Sequence, residues 1–399
     1  MKLLILFSFA LSSTLFGAGY QIPNNSLNAQ ALSTAYVANA QGADTTYYNP
    51  ANMLYNENSH SLEISLNAIS LEAISYDSAD NNFYIKSRKT LNFIPSLHYV
   101  SKKLGKDGIR VGLSIVSPAG LTRQWDEMPA SATAKKYALS TVEFNPTIAL
   151  PLSEKLSFAL GLRYLIAQGE IALDAQSLYA LEMKGSGEAT GYNLALSYRF
   201  SDTLKLSTTY RSKISLQLKG DGDARLGATS YYSKASIAAP IPANFIVAIA
   251  YTFPTKTTVE FTYDKTFWSI VTETNFEFEN PILEATLGKS VEKRWHDTTV
   301  YRVGLTQQFD TLKTMAGFSY SPSAAQEEFV TFSSPETDFI TFSLGSKYEI
   351  NNNFEVGVAA LYAKGQERKI SQPTKPLGIN GTLGKRDIIT LSIGFEYSF

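Results

Sequence analysis

Leu156-Ser157-Phe158-Ala159-Leu160-Gly161-Leu162-Arg163-Tyr164-Leu165-Ile166 is the stretch on which the fold turns. Side chains of an extended chain alternate between two faces, and a period of two divides this run cleanly. Leu156, Phe158, Leu160, Leu162, Tyr164 and Ile166 fall on one face; Ser157, Ala159, Gly161 and Arg163 fall on the other. The same contrast sets Tyr192, Leu194, Leu196, Tyr198 and Phe200 against Asn193, Ala195, Ser197 and Arg199. It returns in Ile340, Phe342, Leu344, Tyr348 and Ile350 against Thr341, Ser343, Gly345, Lys347 and Glu349. Strands of a soluble sandwich also alternate, but they run to about 5–6 residues. Many runs here reach about ten, the length a tilted strand needs to cross a hydrocarbon layer. The reading is an all-β fold, an antiparallel transmembrane β-barrel.

Outward from this stretch, about 14 candidate strands can be placed, an even number as closed bacterial barrels use. They run at 59–75, 82–100, 108–118, 140–150, 156–168, 187–200, 203–218, 243–253, 256–271, 298–309, 313–321, 338–349, 353–364 and 387–399. Tight connections at Leu152–Lys155, Ser201–Asp202, Pro254–Thr255, Asp310–Leu312 and Asn351–Asn352 alternate with long ones at 119–139, 169–186, 219–242, 272–297, 322–337 and 365–386. Short turns on one side and long loops on the other put both barrel ends in the periplasm and the long loops outside. The 23 Tyr and 23 Phe supply rings for girdles at the two lipid interfaces. The last strand carries Ile389, Leu391, Ile393, Phe395, Tyr397 and a terminal Phe399, which resembles the signal that outer-membrane assembly machinery reads. The bacterial outer membrane and its lipids are the expected surroundings.

Met1-Lys2, an apolar run from Leu3 to Leu11 and small residues to Ala18 have the order of a secretory signal. The apolar run falls short of the roughly 20 residues of a membrane helix. Cleavage after Gly17 is preferred to cleavage after Ala18, which would leave Phe16 at the −3 site. The chain then divides into three regions: a signal at 1–17, an N-terminal plug at 18–58 and the barrel at 59–399. Residues 18–58 lack strand alternation yet hold Tyr20, Ile22, Leu27, Leu32, Tyr36, Tyr47 and Tyr48, which favours a folded plug over a tail. Thirty-five basic and 36 acidic residues leave no footprint for nucleic acid, and zero cysteines exclude a thiolate site. His60, His98 and His296 have no partner at metal-ligand spacing, and in Trp295-His296-Asp297 neighbouring side chains of an extended chain point apart. No enzyme and no cofactor is expected, an outer-membrane phospholipase being the weaker alternative.

Ala18-Gly19-Tyr20-Gln21, Ala35-Tyr36, Ala43-Asp44 and Asn49-Pro50-Ala51 resemble the N-terminal hatch of the FadL/TodX family of outer-membrane hydrophobic-compound transporters. The resemblance continues through Ser117-Pro118-Ala119-Gly120-Leu121 with Trp125, Phe144-Asn145-Pro146, Pro242-Ala243-Asn244-Phe245, Trp295-His296-Asp297-Thr298, Tyr301-Arg302-Val303-Gly304 and Tyr320-Ser321-Pro322. It covers essentially the whole mature chain. It implies a 14-stranded barrel plugged by the hatch. Hydrophobic cargo, long-chain fatty acids or aromatic hydrocarbons, would be caught at the outer loops and released sideways through a gap in the third strand. The loop from Gly169 to Ser186 departs from better-known members in being short, though Leu173, Leu178, Leu181 and Met183 could still form a capture surface.

A fatty acid needs an apolar pocket and one basic donor, for which the fork of Arg is well suited. Arg163 and Arg302, inward by parity, are the candidates; the alternative is a lumen charge network. Asn49, Pro50 and Ala51 are candidate gating residues in the hatch, and Pro118 and Gly120 mark the lateral opening, since Pro cannot donate to a ladder and Gly weakens it. A general porin for hydrophilic solutes or a loop-borne adhesin remains as a rival, and residues 18–58 argue against both. Fatty acid and hydrocarbon are not separated by sequence.

Overall fold

In the computed structural model the described residues are 19–399 except Asn81, Lys289 and Pro376; the signal at 1–17 and both candidate cleavage positions lie outside them. Fourteen antiparallel strands close on themselves. They are β1 Ser61–Leu71, β2 Thr90–Val100, β3 in two pieces Arg110–Val116 and Gly120–Gln124, β4 Lys136–Pro151, β5 Leu156–Asp174 and β6 Tyr179–Arg199. Next come β7 (Leu204–Arg211, then Gln217–Leu226), β8 (Thr229–Ala238, then Asn244–Thr252), β9 (Thr257–Thr266, then Phe276–Phe278) and β10 Thr298–Gln308. The wall is completed by β11 Leu312–Ser321, β12 Phe339–Asn351, β13 Phe354–Gly365 and β14 Ile388–Ser398. The seam joins β14 to β1, from Ser61 opposite Ser398 to Leu71 opposite Ile388. Closure matters physically because lipid offers no partner for a bare strand edge.

Parity holds as expected. Leu162 is 65% exposed on the outer wall while its neighbour Arg163 is 3% exposed inside. Two of the expected loops are corrected. Residues 169–186 are the upper parts of β5 and β6, joined by a four-residue turn at 175–178, and 219–242 is mostly the hairpin formed by the upper pieces of β7 and β8. Above the lipid belt the apolar face has switched sides. Ile171, Leu181 and Met183 point inward and are buried, while Glu182, Lys184 and Glu188 point out. Strands this long span both regions, and each region wants its apolar residues where water is absent.

Residues 24–56 lie inside the barrel. A short helix α1, Leu27–Ala31, is capped by Ser26, whose Oγ accepts the N–H of Ala29 at 3.2 Å. Helix α2, Thr45–Tyr48, leads into a 3-10 turn, Pro50–Tyr55, with Pro50 at its first position, where no donor is missed. Carboxylates of the wall hold this segment by its backbone. Glu260 accepts N–H bonds from Val37 (2.6 Å), Ala38 (3.2 Å) and Asn39 (2.7 Å), and Glu396 accepts one from Ala43 (2.9 Å). Lys347 pairs with Glu396 at 2.7 Å and Glu63 at 3.1 Å beneath it. Gly317 makes room for Leu32: a Cβ at Gly317 would sit 2.1 Å from the Leu32 carbonyl carbon.

Candidate functional site

Four strands, β3, β7, β8 and β9, are interrupted, and the interruptions shape the lumen. In β3, residues 117–119 turn inward and meet the leading edge of the N-terminal segment. The Ile22 N–H donates to the Pro118 carbonyl and the Gly120 N–H to the Tyr20 carbonyl, both at 2.8 Å. Pro118, unable to donate, sits where the ladder breaks. β2 pairs with β3 only from Leu97 opposite Ile115 to Val100 opposite Gly112, and contact resumes at Ser87 and Trp125. Between these points no backbone pairing joins the two strands among the described residues. In β7 and β8 the inward bends at 212–216 and 239–243 are tied by reciprocal bonds of Ile214 and Ile241, both 2.9 Å. Pro240 and Pro242 fall in that bend, for the same reason as Pro118.

These bends divide the interior into two chambers. The lower is lined by Tyr47, Tyr48, Arg163, Arg211 and Arg302. Glu143 there accepts from Arg163 at 3.0 Å and also from Arg211, whose guanidinium lies 4.1 Å over the Tyr47 ring. Arg302 pairs with Asp264 at 3.0 Å and donates to the Ser33 carbonyl at 3.1 Å. Arg163 and Arg302 thus share a chamber, and each already has a carboxylate partner; Arg302 also grips the N-terminal segment through Ser33, whereas Arg163 donates to the Ser212 carbonyl of the wall at 2.6 Å. Asn49 and Pro50 belong to the same face: Asn49 Nδ2 donates to the Val37 carbonyl and to Ser197 Oγ, both at 2.8 Å, and Ala51 is buried behind them.

The upper chamber is apolar, lined by Leu139, Ile171, Met183, Leu218, Ile237 and Val271. Met183 lines it and Leu181 packs beside it, whereas Leu178 stands 72% exposed at the tip of the β5–β6 turn, away from the cavity. Its floor is aromatic. Tyr20 lies edge-on to Trp268 at 5.2 Å and 6.2 Å from Trp295, and its hydroxyl donates to the Pro240 carbonyl. The indole N–H groups of Trp268 and Trp295 are buried without a partner among the described residues. Two charged residues of an outer loop line this chamber, the exposed Glu273 and the buried Lys293; Lys293 is 5% exposed, and its Nζ donates to Thr331 Oγ1 at 2.8 Å. Among the described residues it forms no ion pair. Burial pushes its ammonium down to about 8, only partly offset by Glu336. Sequence reasoning missed Lys293, because a lysine among Glu292 and Arg294 in a loop reads as a solvated charge.

Comparison with known proteins agrees with this geometry. A family model described as outer membrane protein transport protein (OMPP1/FadL/TodX) matches residues 8–399. A long-chain fatty acid transport protein of Salmonella typhi is 24% identical over 339 residues, covering 72% of this chain and 75% of its own. Among solved structures, a Pseudomonas aeruginosa FadL homologue superposes with a TM-score of 0.79 at 16% identity, covering 96% of this chain and 100% of the other. The toluene transporter TodX of P. putida gives 0.71 at 16% identity, with 92% and 98% covered.

Proposed function

The chain belongs to the OMPP1/FadL/TodX family of outer-membrane transport proteins, and from that premise we propose that it carries long-chain fatty acids. Lys293 carries the proposal. An apolar chamber alone suits any hydrophobe, but a buried ammonium with no ion-pair partner among the described residues suits a carboxylate at the end of an apolar tail. Ser333 and Ser334 at the same wall, and the idle Trp295 N–H, add donors for the same oxygens.

The path we infer runs from the outer loops into the upper chamber, past Tyr20, and out through the gap beside Pro118 and Gly120 into the outer membrane. Residues 18–58 act as the hatch, with Asn49, Pro50 and Ala51 in the part that stays seated and Tyr20 at the part that moves. Transfer is passive, driven by the preference of the tail for apolar surface over water. It requires no cofactor. The aromatic floor of Tyr20, Trp268 and Trp295 favours a second reading, uptake of monoaromatic hydrocarbons, which need rings to stack on and no cation.

Uptake and binding of a radiolabelled long-chain fatty acid and of toluene, by wild type and a Lys293→Met variant, separate the two. Losing one charge-assisted bond should weaken fatty-acid binding about tenfold and leave toluene unchanged. Toluene transport without any fatty-acid binding would replace the cargo, and free passage of sugars would replace transport by a porin.

A further inference from the structure

Arg123, in the upper piece of β3, and Arg386, just before β14, are each 1% exposed. They are close enough for their charges to repel. Arg123 Nη1 donates to Ser87 Oγ at 3.0 Å; Arg386 Nη1 reaches Glu336 Oε1 at 3.3 Å and the Pro335 carbonyl at 3.4 Å. The other oxygen of Glu336 is taken by the Gly19 N–H at 2.9 Å. Nε and Nη2 of both arginines are left without partners among the described residues. So are both polar atoms of Asn92 and the hydroxyl of Thr390, which flank Ile69 on the neighbouring inner wall.

Buried guanidinium N–H groups without acceptors are costly, and two buried cations facing one carboxylate leave an uncompensated charge. The deficit is in acceptors and in negative charge at once, which water alone does not make good. We propose that Arg123 and Arg386 form a second head-group site, which takes the carboxylate of an acidic amphiphile beside the gap between β2 and β3. It rests on the fatty-acid reading and adds a stop between the Lys293 chamber and the membrane. The two open N–H edges present the fork geometry that binds carboxylate in pairs of parallel bonds. With the head held there, an attached tail has the interruption at 117–119 next to it.

The test uses the full-length protein in detergent micelles with carboxyl-labelled ¹³C palmitate, read by NMR, and uptake of palmitate and of hexadecanol by cells. Wild type should show two bound carboxyl signals. Arg123→Gln combined with Arg386→Gln should remove one and slow palmitate uptake about tenfold, with hexadecanol unaffected. Lys293→Met should remove the other. Heat-modifiable gel mobility reports that the barrel is folded, and Arg386→Lys, which keeps the charge but not the fork, should weaken the second signal without loss of the barrel. One signal only, lost in Lys293→Met and untouched in both arginine variants, overturns the second site and leaves the fatty-acid reading standing. No bound palmitate in wild type overturns both.

Discussion

The lower and upper halves of β5 and β6 are made from the same strands and carry opposite polarity. Below, Leu162 and Tyr192 face out, while Arg163, Asn193 and Ser197 face in; Ser197 bonds to Asn49 and Asn52 of the N-terminal segment, and Arg163 and Asn193 pair with Glu143 and Asn145 of the wall. Above, Glu182 and Lys184 face out while Met183 and Ile171 line a greasy chamber. The medium outside the wall sets the pattern: lipid draws the apolar face outward, water sends it inward. The two halves are thereby fitted to different tasks. The lower half holds the N-terminal segment, cross-linked by hydrogen bonds around a polar chamber; the upper half encloses an apolar chamber poorly furnished with partners for its few polar groups.

The comparison breaks most visibly in the lower half. Gly317→Val drives a side chain into Leu32, so the segment must lift from the wall; conductance across planar bilayers should rise by roughly an order of magnitude. Unchanged conductance would mean the lower half is not tightly filled. Where that variant also loses stability, about 1–3 kcal/mol is expected from thermal unfolding.

In the upper half, Met183→Asp puts a carboxylate into the apolar chamber. Both palmitate and toluene should bind about thirtyfold more weakly in equilibrium titrations, the cost of burying an unpaired polar group. Equal affinity for either ligand would place its site elsewhere.

A subtler effect is expected with pH. Burial lowers the Lys293 pKa to about 8, so the ammonium is present below that value and lost above it. The carboxylate of the cargo is ionised throughout, and its affinity should therefore fall about tenfold from pH 7 to pH 9, while toluene affinity stays level. A flat profile for palmitate would remove Lys293 from the head-group role. The smallest effect belongs to Leu178→Ser. That side chain is exposed at a turn tip, and uptake should stay within about twofold of wild type, as surface substitutions usually do.

The lower half is legible in the sequence because only one residue class fits each face there. Strand number, the tight turns and the last strand ending in Phe399 all show in the alternation. The upper half reads as loops because the alternation reverses phase near Gln168 and Glu188, and a reversed signal looks like noise. The breaks in β7 and β8 do leave a trace, since Pro240 and Pro242 cannot both sit in a continuous ladder. Glu143 and Glu260 leave a weaker one: a carboxylate on an inward row of small residues implies a donor from elsewhere in the chain. Nothing in spacing singles out Lys293, Arg123 or Arg386, whose burial is decided by loops folding over them.

The grip of Glu396 on Ala43 has a consequence for how the molecule is made. Glu396 lies on the last strand and Ala43 before the first, so this bond cannot exist until nearly the whole chain has been synthesised. Helix α1 likewise rests on β11 to β14, the strands that arrive last. The segment that leaves the ribosome first among these elements is therefore seated at the end, and the seam between β1 and β14 shuts behind it.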